Sequence, residues 1–208
     1  MNKKLGKEDK EFLRSRYRSK VWELGYYLLA HEVRGEDFEY IMQGGEEVNC
    51  NSKKQRQQWL AEAMDRMVER LPEELVKEIR EGSACCLGGK RHELAKEIHD
   101  SYDTVEERFQ ELAKTQYIIG DTAKKVGDNT YRVCFWENPP EKGSCSCLKY
   151  VPKKEPMSKD WCLCCGGHIK KHFETALGVK AECTCISSQL SSCGKEPCVF
   201  ELRVIEEK

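Results

Sequence analysis

The sequence has 208 residues, a formal net charge of −1 and 34% charged residues. A chain of this length can bury a hydrophobic core without help from disulfides or metal ions. The balanced charge creates no overall positive field that would attract nucleic acid. The start, MNKKLGKEDKEF, lacks the apolar segment of a secretory signal, and YYLLA at 26–30 is too short to span a bilayer. We therefore expect a soluble, cytoplasmic protein that binds neither nucleic acid nor membrane.

Apolar residues at helical spacing dominate the first 115 residues. The first twenty residues carry eight lysines and arginines against three acids, which we interpret as a solvated helix face. We interpret each stripe of apolar residues as the face of a helix that is buried in the hydrophobic core. The stripes predict helices around residues 13–28, 59–71, 72–79, 94–98 and 105–112.

The sequence after residue 115 is typical of a small sheet. β-branched and aromatic residues flank a Gly127-Asp128-Asn129 turn, which indicates a hairpin. A connection rich in proline and glycine follows over 137–160, and Gly178 ends a later helix. The predicted elements are a hairpin within 116–136, a helix over 162–177 and strands near 179–187 and 197–205.

These elements predict an α+β fold, in which a helical N-terminal half is joined to an antiparallel sheet with one late helix packed on it. We expect a helical region over 1–115 and a cysteine-rich α+β region over 116–208, together forming one compact domain.

Cysteine is the most unusual feature of the composition. The chain has 13 cysteines, and ten of them follow residue 133. Structural disulfides are rare in a reducing compartment. Clustered cysteines in a cytosolic chain therefore favour metal binding or thiol chemistry over a disulfide framework.

The late helix and the last two strands are expected to bring several cysteines together. At 100° per residue, Cys162 lies on the buried face of the helix. With a period of two, Cys183 and Cys185 share one face of the first strand, and Cys198 lies on the apolar face of the second. These cysteines would meet between helix and sheet, with Cys193 in the connecting loop. Four thiolates suit zinc, although a buried cysteine can also pack as a small hydrophobe.

Other cysteines favour a thiol catalyst. Cys164 and Cys165 lie at the start of the late helix, with His168 one turn on, a local geometry that can activate a nucleophile. Cys85 and Cys86 precede Gly88-Gly89, where they form either a reactive thiol site or a packed helix end.

The remaining cysteine and histidine pairs give weaker signals. Cys145 and Cys147 are spaced as a weak metal motif, a redox pair or a surface hook. His92 and His99 lie seven residues apart in a charged helix, and we predict that both are solvated.

The stretches CLCCGGHIKKHFETALGVKAECTC and SSCGKEPCVFELRV carry a family resemblance. Residues 116–205 resemble the 4-vinyl reductase domain, a ligand-binding module that shares its fold with transport-protein-particle subunits and haem-nitric-oxide-binding sensor domains. Cys162, Gly167 and Gly178 have the spacings found in the family. Residues 194–200 resemble the Gly-x-x-x-Cys-x-Phe segment that begins the family's final strand. The chain also resembles clostridial-type cysteine-rich proteins of unknown function and, more distantly, aminothiazoline-carboxylate hydrolase-like proteins.

The resemblance implies a structural zinc beside an aromatic-ligand pocket. Cys162 and Cys198 match two ligand positions, and Cys185 falls where the family has a glutamate. The fourth ligand position falls on Ser188, which departs from the family's pattern, and Cys193 could supply this ligand instead. The fold also implies a homodimer paired through helices.

We therefore expect a small-molecule binding or sensing domain with a cysteine-rich, zinc-binding site. Tyr131, Phe135 and Trp136 are the candidates for lining the ligand pocket. The alternatives are a thiol- or metal-dependent enzyme acting on a small molecule, hydrolase-like in its chemistry, and a structural assembly subunit.

Overall fold

The computed structural model describes residues 4–84, 87–137, 145, 148–149 and 156–207. Contacts between residues divide the chain into two compact units. Unit 1 comprises residues 1–83 and 145–152, and unit 2 comprises residues 84–144 and 153–208.

Unit 1 is helical over its described residues. Ser52 begins α4 by accepting a hydrogen bond from the backbone N–H of Gln55, since a side-chain oxygen satisfies an otherwise unpaired donor at a helix start. Its elements are α1 (Lys7–Arg16), α2 (Ser19–Ala30), α3 (Gly35–Met42), a 3₁₀ turn (Gly45–Glu47), α4 (Lys53–Arg70) and α5 (Glu73–Gly82).

The apolar stripe over 13–28 is divided between two helices. Tyr17 and Arg18 are extended, so α1 ends before α2 begins. This bend folds Leu13 back onto Gly25, where an added Cβ would lie 2.8 Å from the Leu13 Cδ2. The stripe is core as predicted, because Leu13, Val21 and Leu28 are fully buried.

Unit 2 contains the sheet. Its four antiparallel strands lie in the order β1-β2-β4-β3. The elements are α6 (Lys90–Ser101), α7 (Val105–Lys114), α8 (Gln116–Ile119), β1 (Thr122–Gly127), β2 (Thr130–Trp136), a 3₁₀ turn (Lys159–Cys162), α9 (Leu163–Leu177), β3 (Val179–Ser187) and β4 (Cys198–Glu207).

Helix α9 packs on the sheet, which confirms the predicted α+β fold class. Strand β3 alternates strictly between buried and exposed residues, so its buried face is the predicted one. The start of α9 lies directly on the sheet, because a Cβ at Gly166 would make ordinary van der Waals contacts with the Cys183 Sγ at 3.4 Å and with the Phe200 ring at 3.6 Å. Helices α6, α7 and α8 also contact α9.

Among the described residues, no helix has the length and apolar content needed to cross a membrane.

The turn from α9 into β3 requires glycine. Gly178 has φ +72°, and a Cβ there would lie 2.6 Å from the His99 ring. A left-handed conformation costs a residue with a Cβ roughly 1–2 kcal/mol, and the contact with His99 adds to that cost. Gly178→Ala should therefore destabilise the protein by at least about 1 kcal/mol, measured by urea or thermal unfolding.

Gly88→Ala is the matched control for this substitution, because an added Cβ there meets open space. Equal stability of the two variants would contradict the argument.

Candidate functional site

Seven cysteines are carried by the elements at one end of unit 2. Helix α9 and strand β3 run antiparallel on either side of Gly178, and they span similar lengths, about 21 Å for Leu163–Leu177 and about 20 Å for residues 179–185. The start of α9 therefore lies level with the end of β3. We call this region the cysteine end; its members are Cys162, Cys164, Cys165, Cys183, Cys185, Cys193 and Cys198.

The interior of the cysteine end is formed by three buried thiols. Cys162 is 7% exposed, Cys183 is 0% exposed and Cys185 is 5% exposed. The Cys185 Sγ donates to the Ser187 carbonyl at 3.5 Å. The other four members are half-buried. The end therefore offers both sheltered thiols and thiols that solvent can reach.

The four predicted zinc ligands occupy different settings. Cys162 ends the 3₁₀ turn, and Cys185 pairs with Phe200 across the sheet. Cys193 lies in the loop between β3 and β4 with φ +51°. Cys198 opens β4 opposite Trp136 of β2.

Ser188, the departure from the family's ligand set, is buried, and its hydroxyl contacts the Ser191 hydroxyl at 3.0 Å. This contact occupies Ser188 within the loop.

The donor chemistry at this end suits zinc, whereas the spacing of the described donors does not form a ready site. No disulfide joins any two of the ten described cysteines. Within the described residues, no three His, Cys, Asp or Glu side chains are grouped to hold a metal ion. Zinc would therefore require cysteine side chains to turn, or a donor from outside the described residues.

Three candidate cysteines lie outside the described residues: Cys85, Cys86 and Cys147. Their expected roles stay predictions. Cys145 belongs to unit 1, where its carbonyl accepts a hydrogen bond from the Leu148 N–H at 2.8 Å.

A cluster of three histidines lies beside α9. His168 and His172 are buried one turn apart, with ring centroids 4.6 Å apart. His92 of α6 contacts His172 at 6.1 Å between centroids. The His168 Nε2 lies 3.0 Å from the Ile118 carbonyl oxygen, so that nitrogen carries the proton and donates. In neutral His168 the Nδ1 is then the acceptor nitrogen.

The prediction that His92 and His99 are solvated is wrong. Both lie half-buried, and neither Nδ1 has a hydrogen-bond partner among the described residues. The reason is that α6 packs on α9 along the face that carries these histidines. The signal was present in the sequence, because His92, Ala95 and His99 recur at spacings of three and four, as core positions do.

The surroundings of His92 favour its neutral form. Burial lowers the pKa of His92, and the positive charges of Lys96 and Lys171 lower it further, whereas Glu93 opposes them. Cys134 on β2 has its pKa raised by burial and by the charges of Glu137 and Asp121, which makes it a poor nucleophile.

The predicted pocket residues divide into a core ring and a half-buried pair. Tyr131 is 3% exposed and packs between Phe109, at 4.6 Å, and Phe173, at 5.1 Å, so protein contacts occupy its ring. Phe135 and Trp136 are half-buried and stacked, with an interplanar angle of 23°. Phe135 also meets His168 edge-on at 5.6 Å.

The lowered pKa of His92 predicts an acid-side loss of stability. His92 takes up a proton more readily in the unfolded chain, so its contribution to stability is present above the unfolded pKa, about 6.5, and is lost as pH falls through the folded pKa. Its contribution to the slope is at most about 1.4 kcal/mol per pH unit. Urea unfolding between pH 7.5 and 5 should show a shallower loss in His92→Gln than in the wild type, and equal slopes would contradict this.

Compared with known proteins, the chain has no significant match to a family model, to a curated protein or to a solved structure. The resemblance to the 4-vinyl reductase domain therefore stays a prediction.

Proposed function

We propose that the protein is a small-molecule binding or sensing protein whose cysteine end takes up zinc. The single observation that supports this proposal is the meeting of α9, β3 and β4 at one end of unit 2, each carrying cysteines. A thiol-rich end without disulfides among its described members is suited to a soft metal ion.

Zinc uptake would reorganise this end. Three buried thiols already lie on the elements that would supply the ligands, and the half-buried Cys193 and Cys198 are within a loop and at a strand end. Loop and strand-end positions can adjust more readily than mid-strand ones. We therefore expect metal binding to change the conformation of the loop between β3 and β4.

The ligand half of the proposal centres on Phe135 and Trp136. Their stacked rings are half-buried, and Phe135 adjoins the buried imidazole of His168. An aromatic surface beside a polar group is the usual composition of a small-molecule site. The homodimer implied by the family resemblance stays a prediction.

Measurements of metal content and thiol reactivity test the proposal that the cysteine end binds zinc. Protein purified under reducing conditions without chelator should contain about one zinc per chain and protect roughly four thiols until the metal is removed. Cys162→Ser and Cys198→Ser should each lose metal and lower the unfolding temperature. Cys50→Ser is the control, because Cys50 lies in unit 1.

If the protein takes up no stoichiometric zinc and all its thiols react alike, the proposal of a zinc site is wrong. Metal retained by both the Cys162 and Cys198 variants would overturn the assigned ligands.

A thiol enzyme is the second candidate, favoured by the first turn of α9. This 15-residue helix has no acidic residue in its first turn, so its N-terminal dipole would stabilise a thiolate there. Cys164 lies one turn before His168, whose Nε2 is fixed as a donor to Ile118. His168 can therefore offer only Nδ1 as a base.

Alkylation rates test this candidate. At neutral pH, Cys164 should react at least about tenfold faster than Cys50, because a lowered pKa raises the thiolate fraction. His168→Gln keeps an N–H donor for the Ile118 carbonyl but removes the base, so it should slow Cys164 alone. Peptide mapping by mass spectrometry resolves the sites, and uniform slow rates would reject a thiol catalyst.

A further inference from the structure

Unit 1 contains a shallow cleft, largely open to solvent, at the bend between α1 and α2. It has a volume of about 450 Å³ and is lined by Arg14, Tyr17, Arg18, Ser19 and Trp22. All five residues belong to unit 1, so the cleft is separate in composition from the cysteine end.

Two arginines of the cleft have no carboxylate partner among the described residues. Three arginines of unit 1 form ion pairs: Arg16 with Glu39 at 2.8 Å, Arg34 with Asp9 at 2.9 Å, and Arg66 with Glu62 at 4.0 Å. For Arg14 and Arg18, the described part of the chain supplies no such ion pair. The cleft therefore holds two positive charges that the protein does not neutralise there.

The position of Arg18 is fixed by the backbone. Its Nη1 donates to the Tyr17 carbonyl at 2.9 Å and also to the Arg14 carbonyl. These bonds use one end of the guanidinium fork and hold it beside the bend. The remaining N–H groups of Arg18 are available for an anion, and an arginine fork matches phosphate oxygens well.

Trp22 adds an aromatic surface to the cleft. The indole is half-buried and packs against Tyr26 with ring centroids 5.4 Å apart. Its Nε1 is shielded from solvent, so a ligand in the cleft would contact the indole ring rather than this N–H.

The ligand class follows from charge, shape and volume. Two guanidiniums balance a dianion, which favours a phosphate monoester over a carboxylate. The cleft exceeds the size of a bare phosphate, and the Trp22 ring offers a surface for a planar group. We propose that this cleft binds a small organic phosphate monoester, with Arg14 and Arg18 holding the phosphate and Trp22 contacting the organic group.

Calorimetry with phenyl phosphate tests the proposal on the full chain. Phenyl phosphate should bind the wild type more tightly than inorganic phosphate, phenol or benzoate does, and added salt should weaken it. The double variant Arg14→Gln/Arg18→Gln should bind at least about tenfold more weakly. Lys53→Gln/Lys54→Gln is the control, because it removes the same charge from exposed positions of unit 1 and should leave binding unchanged.

Arg14→Gln alone guards against a folding artefact. Arg18 supports the bend through hydrogen bonds to backbone carbonyls, whereas the Arg14 side chain is exposed and makes none of these bonds. The single variant should unfold at the wild-type temperature and still bind several-fold more weakly. Equal binding by the two double variants, benzoate binding as tightly as phenyl phosphate, or no binding of phenyl phosphate by the wild type would each overturn the proposal.

Discussion

The close packing of α9 against the sheet is the constraint on which the arrangement of unit 2 depends. Gly166 lies against Cys183 and Phe200, and Gly178 turns the chain directly back into β3. Because the helix and strand then run antiparallel over similar lengths, residues some twenty positions apart in the chain lie at one level. The cysteine end is a consequence of this return, and so is the burial of Cys183 and Cys185.

The opposite side of α9 carries the histidines. Helix α6 packs there, so His172 lies between α9's own His168 and His92 of α6. Burial and the positive charges of Lys96 and Lys171 lower the pKa of His92. One helix thus presents thiols at its start and histidines along its length, and its packing partners determine how each group is solvated.

Much of this fold follows from sequence pattern. The late helix and the strand after it match the predicted bounds to within one residue, because glycine at 178 and strict alternation in β3 are strong local signals. The burial of His92 and the division of the 13–28 stripe were not predicted. Both depend on tertiary packing: α6 against α9 in one case, and Leu13 folding onto Gly25 in the other. The cysteines sharing one end could be predicted, but their spacing about a metal could not, because side-chain positions depend on that same packing.

The two proposed sites draw on different units, and this makes their energetics separable. A ligand stabilises the part of the protein that binds it in proportion to the logarithm of its concentration over its Kd. Zinc would act on unit 2 and a phosphate monoester on unit 1.

If the units unfold independently, each ligand shifts one unfolding transition and leaves the other unchanged. If both ligands shift a single transition, the units fold as one cooperative body, and binding in one would then be energetically linked to the state of the other. The response of unfolding to two ligands therefore reports on how strongly the units are coupled, which is the property a sensor needs to transmit a signal.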